Sequence, residues 1–341
     1  MEVLTISVWT LALLIFVALA FDFMNGFHDG ANSISTIVAT GALTPRQAVA
    51  FAAFFNFAAI WVFHLKVAAT IGKGTVDPQF VDHYVIFGAL CGALTWNIIT
   101  WYYGIPSSSS HALIGGLIGA TMANAGGAAP IIWSGFGKIL IFIAISPLVG
   151  FLIGGMLMVA VAWAFRNTSQ AKAGRWFNRA QLVAAAAYSL GHGGNDAQKT
   201  IGIIWLLLIT AGAATTDVET LPNWVIYSCY LAIAWGTYLG GWRIVKTMGS
   251  KITKLTPVSG TCASMGGALS LALATLGGVP VSTTHTITGA IVGVGAAQDV
   301  KAVRWAVTLN LLVAWVLTIP AAGLMSALFW QLGRHLLDGT P

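Results

Sequence analysis

The run from Ile6 to Met24 carries one charged side chain, Asp22, and two later runs, Gly137 to Phe165 and Ala302 to Leu328, are as long and nearly as apolar. About 20 such residues in a helix cover a hydrocarbon layer about 30 Å thick. In lipid every backbone N–H and C=O must find a partner within the protein, so such runs fold as helices or as strands of a closed barrel. Long Gly/Ala/Leu/Val stretches without strict alternation argue against the barrel. The composition agrees, with 57% hydrophobic residues, 8% charged residues and a mean hydropathy of +0.83. A water-soluble core of this length needs nothing so apolar. We therefore expect an all-α integral membrane protein. The first run follows Met1 and Glu2 without a basic leader and reads as a retained span, not a cleaved signal.

Two devices within this apolar chain occur twice. Gly26-Phe27-His28-Asp29-Gly30-Ala31-Asn32-Ser33-Ile34 is matched by Gly193-Gly194-Asn195-Asp196-Ala197-Gln198-Lys199-Thr200-Ile201. Each is followed by a Gly-x-Pro element rich in hydroxyls, Gly104-Ile105-Pro106-Ser107-Ser108-Ser109-Ser110-His111 and Gly278-Val279-Pro280-Val281-Ser282-Thr283-Thr284-His285. The separations are similar, 77 residues from Asp29 to Pro106 and 84 from Asp196 to Pro280. A duplicated polar device in a membrane protein points to a transport pathway between two repeats.

The net charge of +6 does not indicate a nucleic-acid partner, because the basic residues sort by side. We suppose three crossings and a re-entrant hairpin in each half, with the amino terminus outside. Arg46, Arg166, Lys172, Arg175, Arg179, Arg243, Lys246, Lys251, Lys254, Lys301 and Arg304 then all face the cytoplasm. Lys66, Lys73, Lys138 and Arg334 fall outside, with the acidic Asp217 and Glu219. The positive-inside rule selects this arrangement. It divides the chain into a first membrane repeat, 1–165, a basic cytoplasmic linker, 166–181, and a second repeat, 182–341, running in the opposite sense. The expected fold is thus two inverted-topology repeats with interrupted helices and re-entrant hairpins. Both termini are expected outside.

Buried carboxylates carry the functional signal. A charge at the bilayer centre costs at least about 2.5 to 3.5 kcal/mol on insertion scales. Asp22, Asp29 and Asp196 therefore need partners, protonation or water. Asn32, Asn195 and Gln198 supply amides able to coordinate a cation through oxygen or donate to an anion through nitrogen. In the Gly-x-Pro elements proline ends the preceding helix, and Ser107, Ser108, Ser109, Ser110, Ser282, Thr283 and Thr284 present hydroxyls where new helices begin. Such helix starts bind oxyanions. Gly115, Gly119, Gly289 and Gly293 recur at equal offsets and let those helices approach a neighbour closely.

His28 and Lys199 break the symmetry. Lys199 has two candidate roles, neutralising Asp196 or touching an anion. An unperturbed histidine side chain titrates near physiological pH, which makes His28 a candidate for proton coupling, against a plain packed imidazole. His111 and His285 either fix their loops or touch substrate or proton. Asp22, two turns before Asp29, either shares its face or pairs helices. Cys91, Cys229 and Cys262 stand singly and read as small buried hydrophobes. Trp61, Trp133, Trp163, Trp176, Trp224, Trp242 and Trp330 fall near segment ends and read as interfacial anchors.

In the paired Asp motifs and the paired Pro-Ser/Thr-His elements, the chain closely resembles the PiT inorganic phosphate transporters in their short bacterial form. GFHDGANSISTIVATGAL, WYYGIPSSSSHALIGGLIGA, GHGGNDAQKTIGII and GVPVSTTHTITGA carry the likeness and span nearly the whole chain. The resemblance implies two inverted repeats, a homodimer, and low-affinity uptake of phosphate with a coupling cation. It puts the family's acidic pair on Asp29 and Asp196, its amides on Asn32 and Asn195, and its phosphate-facing hydroxyls on Ser107 to Ser110 and Ser282 to Thr284. The more common family pattern has Asn-Asp followed by Ala-Asn in both copies. Here His28 replaces the first Asn, and Gln198-Lys199 replaces the second Ala-Asn. Both departures belong to the bacterial subgroup, for which protons or a neutral metal-phosphate are expected in place of sodium.

The expected function is secondary active import of inorganic phosphate by cation symport through alternating access, across a bacterial plasma membrane. The expected substrate-binding set is Asp29, Asn32, Ser107 to Ser110, Asn195, Asp196, Lys199 and Ser282 to Thr284. The expected cation-coupling set is Asp22, His28, Asp29 and Asp196. The partners are phosphate, a proton or sodium ion with or without a divalent metal, and the lipid bilayer. No cofactor and no resident metal are expected. Sodium-coupled phosphate symport, permeation of sulfate or another oxyanion, and a passive anion channel are the alternatives. An intramembrane hydrolase would need one nucleophile set against a base, whereas the clusters are symmetric and no Gly-x-Ser-x-Gly elbow occurs, so no enzyme is expected.

Overall fold

The computed structural model describes residues 7–338. The expected outside placement of both termini falls on residues 1–6 and 339–341, which lie outside the described residues. The first half comprises α1 (Val8–Ala39), α2 (Pro45–Ala58), α3 (Lys66–Gly74), α4 (His83–Tyr103), α5 (Ser109–Ala125) and α6 (Trp133–Ala164). The second comprises α7 (Gln170–Thr210), α8 (Asn223–Leu239), α9 (Trp242–Ser250), α10 (Pro257–Leu276), α11 (Thr283–Gln298) and α12 (Trp305–Asp338). Among the described residues no strand forms, and the protein is an all-α, multi-pass membrane protein.

By length and apolarity α1, α4, α6, α10 and α12 qualify as spans. A sharp 85° bend separates α2, with the short turn after it, from α3. α7 is the long counterpart of α1, and its first turns hold Lys172, Arg175 and Arg179. The basic stretch expected as a linker is therefore mostly helix. Only the turn at 165–169 separates α6 from α7, because Ser169 precedes a continuous run of helix-compatible residues.

Packing exchanges the halves. α5 lies on α12 and α11 on α6; α1 lies on α8 and α2 on α7; α4 meets α12 and α10 meets α6. Each contact between halves has its counterpart. The glycines expected to permit close approach do so: a Cβ at Gly115 or Gly119 would meet the carbonyls of Ile319 and Gly323, and one at Gly289 or Gly293 those of Pro147 and Phe151. Backbones this close give dispersion contact where lipid offers no hydrophobic drive.

α4–α5 and α10–α11 are helical hairpins. α4 ends at Gly104, φ 66°, and α10 is followed by Gly278, φ 67°, the left-handed conformation that glycine adopts without steric cost. Proline two residues later prevents either helix from continuing. Both tips are buried in protein. Their backbone oxygens find partners there: Trp315 Nε1 donates to Pro106 O at 3.0 Å, and Tyr188 Oη to Thr283 O at 2.9 Å. Of the seven tryptophans expected at interfaces, six are exposed on the helix surfaces, and Trp330 is half-buried.

Candidate functional site

The two hairpin tips converge on the middles of α1 and α7, and their contacts repeat under exchange of the halves. Ser108 and Ser282 are the N-caps of α5 and α11; each Oγ accepts from the backbone N–H of its histidine, His111 or His285, at 3.2 Å. Those histidines sit in the first turn, two residues after the helices begin at Ser109 and Thr283. The next hydroxyl of each tip faces the carboxylate of its own half. Ser109 Oγ donates to Asp29 Oδ2 at 2.5 Å, and Thr283 Oγ1 to Asp196 Oδ2 at 3.1 Å. The following hydroxyl crosses over. Lys199 Nζ donates to Ser110 Oγ at 2.5 Å, and Asn32 Nδ2 to Thr284 Oγ1 at 2.9 Å. Asn32 and Lys199 each stand three residues after their aspartate, on the same helical face.

The first carboxylate, Asp29, also has His28 Nδ1 at 2.7 Å and accepts from Thr284 Oγ1 at 3.3 Å. The other ring nitrogen of His28 lies 3.0 Å from Thr100 Oγ1, to which Ser107 Oγ donates at 2.9 Å. Ser107 thus braces the tip from behind. The second carboxylate, Asp196, holds Lys199 Nζ at 2.5 Å on Oδ1, and Lys199 also donates to Val281 O at 2.7 Å. All of these side chains are buried.

Besides Ser107, three expected residues sit elsewhere. Asn195 donates to Thr275 Oγ1 and Val279 O, so it fastens α7 to the second hairpin behind the tip. Gln198 Oε1 accepts from the backbone N–H groups of Val67 and Ala68 and caps α3. Asp22 does not reach Asp29; Thr200 Oγ1 donates to its Oδ1 at 2.9 Å, across to α7. His111 and His285 stand ring to ring at 4.7 Å, with His285 stacked on Trp315 at 3.8 Å, so they join the hairpins to each other.

The sequence reading passed over His192. It lies one helical turn before Asp196, with Nε2 3.3 Å from Asp196 Oδ2. Its Nδ1 is 3.1 Å from Asn56 Oδ1, and Asn56 Nδ2 donates to Thr237 Oγ1. The i, i+4 spacing within GHGGND was the available signal. Ligand atoms of Asp29, His192 and Asp196 all lie within 4.8 Å of one another, the one such grouping among the described residues able to hold a cation. The site therefore combines two helix starts, four hydroxyls, two carboxylates and one ammonium in a buried centre. That set suits a small polyanion that also carries hydrogen-bond donors.

A family model described as "Phosphate transporter family" matches residues 25–326. The chain belongs to this phosphate transporter family. Members of the family are transporters, not enzymes. A "Probable low-affinity inorganic phosphate transporter" of Rhizobium meliloti (strain 1021) is 56% identical over 92% of this chain and 94% of its own length. One of the same description from Bacillus subtilis (strain 168) is 46% identical over 93% of this chain and 95% of its own. A solved structure described as "The sodium-dependent phosphate transporter" superposes with a TM-score of 0.86 at 25% identity, covering 96% of this chain and 100% of that one. The likeness to that structure extends over nearly the whole chain.

Proposed function

We propose that the protein imports inorganic phosphate by cation symport, through alternating access of two inverted repeats about the paired hairpin tips. The observation that supports this reading is the exchange-symmetric set of hydroxyls, Ser109 and Ser110 against Thr283 and Thr284, arrayed at two helix starts around Asp29 and Asp196. Phosphate oxygens accept from those hydroxyls and from the free N–H groups of α5 and α11, while the Lys199 ammonium, hydrogen-bonded to Asp196, Ser110 and Val281, supplies positive charge beside them. The carboxylates accept the P–OH proton. Hydrogen phosphate brings that donor; sulfate at neutral pH brings none and leaves an anion facing a carboxylate.

Phosphate is therefore expected to outcompete sulfate, and arsenate, with the same shape and protonation, is expected to be carried. The test is labelled phosphate uptake into proteoliposomes at pH 7 with each competitor. Sulfate inhibition equal to that by unlabelled phosphate would remove the role given to the carboxylates. The coupling ion in this reading is the proton, because His28 stands where the more common family pattern has an amide. Sodium is the second reading, favoured by the description of the similar solved structure. Imposed proton and sodium gradients, compared in the same vesicles, separate the two. In this reading the turn at 165–169 faces the cytoplasm, supported by the same basic residues through the positive-inside rule.

A further inference from the structure

We infer that Asp22 carries the coupling proton, in a site separate from the phosphate pocket; the inference rests on the symport reading above. Three carboxylates are buried among the described residues: Asp22, Asp29 and Asp196. Two have a basic side chain against them. Asp29 has the His28 imidazole at 2.7 Å, and Asp196 has the Lys199 ammonium at 2.5 Å and His192 at 3.3 Å. Asp22 has none. Its Oδ1 accepts from the neutral Thr200 hydroxyl, and its Oδ2 has no hydrogen-bond partner.

The titratable groups facing Asp22 are Asp196 and Lys199 on α7 and the thiol of Cys229 and phenol of Tyr230 on α8. None supplies the missing positive charge. An ammonium has three donors, and those of Lys199 are spent on Asp196 Oδ1, Ser110 Oγ and Val281 O. The thiol and the phenol are neutral near pH 7 in their ordinary state. A carboxylate in this setting must bind a cation or a proton. One carboxyl beside a hydroxyl and an amide is too small a set of oxygens for a metal ion, which seeks six or so. A proton needs only the one free oxygen.

The position of Asp22 connects that proton to both hairpins. Thr200, its partner, is the residue after Lys199, which holds Ser110 of one tip and Val281 of the other. One turn along α1 from Asp22, Asn25 Oδ1 accepts from Ser109 Oγ, itself on Asp29. A negative charge on Asp22 repels Asp196 and competes for Lys199, loosening both tips; a proton on Oδ2 restores them. One proton enters on Oδ2 from outside and leaves inside, with no covalent change in phosphate.

Asp22→Asn tests this in proteoliposomes, reading proton-driven accumulation beside exchange of external labelled phosphate for internal unlabelled phosphate. The expected result is loss of accumulation with exchange retained. Wild-type accumulation by the variant, driven by protons or by sodium, would overturn the inference. So would loss of both activities in folded protein, since Asp22 would then belong to the phosphate site. If the variant does not fold, Thr200→Val decides: exchange retained with a shifted external pH for half-maximal uptake is expected, and an unshifted profile would refute the assignment. Absence of exchange in the unaltered protein would instead strike the phosphate reading itself.

Discussion

The two halves of the site use one scaffold for different electrostatics. In the first half Asp29 meets an imidazole from its own neighbour, His28, and the crossing contact to Thr284 comes from a neutral amide, Asn32. In the second half the equivalent crossing contact, to Ser110, comes from the ammonium of Lys199, and Asp196 takes both that charge and His192. The backbone arrangement is duplicated while the charge is not. In the alternating-access reading proposed above, the symmetric scaffold supplies the two openings, and the unequal charges set the two halves of the phosphate site apart. The difference teaches that helix packing and site chemistry in this chain are set by separate residues.

The largest expected break in this comparison comes from the carboxylates. Asp29→Asn and Asp196→Asn are each expected to abolish phosphate uptake with membrane expression intact. They differ in stability. Asp196→Asn strands the Lys199 ammonium in the protein interior, a loss of about 3 to 5 kcal/mol, whereas Asp29→Asn replaces one hydrogen-bond acceptor by another at about 1 to 3 kcal/mol. Thermal unfolding in detergent measures the gap, and equal losses would show that Lys199 is not held chiefly by Asp196.

Making the halves alike is the next test. Lys199→Asn reproduces the residue of the first half and removes the central cation; uptake at subsaturating phosphate is expected to fall by roughly tenfold or more, as the positive charge facing the anion is lost. Unchanged uptake would move the phosphate away from Lys199. His28→Asn does the reverse in the first half. Here the loss is expected to be smaller, on the order of threefold to tenfold, because an amide keeps a donor toward Asp29. A flattened pH profile of uptake would additionally connect His28 with the proton.

The smallest effects probe the scaffold symmetry itself. Ser109→Ala and Thr283→Val each remove one hydroxyl from an aspartate, an expected weakening of about 0.5 to 1.5 kcal/mol in phosphate affinity. Competition binding should find the two alike. A large disparity would mean that phosphate leans on one hairpin.

Much of this was legible in the chain. The apolar runs required helices, and the repeated Gly-x-Pro-hydroxyl elements, each with glycine at a left-handed turn and serine at the cap, announced two hairpins. The Asp29 and Asp196 motifs were visible because charge in an apolar segment demands a reason. What escaped were partners distant in sequence. Asn56, Thr100 and Thr237 look like ordinary helix residues until packing sets them against His192, His28 and one another. Asn195 and Gln198 resembled ligands because an amide on the right helix face is chemically able to be one. Their hydrogen bonds to Thr275, Val279, Val67 and Ala68 show that bracing a hairpin and capping a helix use the same group.

By itself the sequence determined the all-helical membrane class, the duplication and the residues whose burial needs compensation, since these follow from hydropathy, turn chemistry and charge, which are local properties. Only the tertiary structure decided which compensation each received: Lys199 to Asp196 with both hairpin tips, His28 to Asp29 with Thr100, and for Asp22 only neutral groups, the Thr200 hydroxyl and the Asn25 amide. A pattern along one helix gives the direction a side chain faces. What it meets there depends on how the other half of the chain folds back, and that is a property of the packed whole.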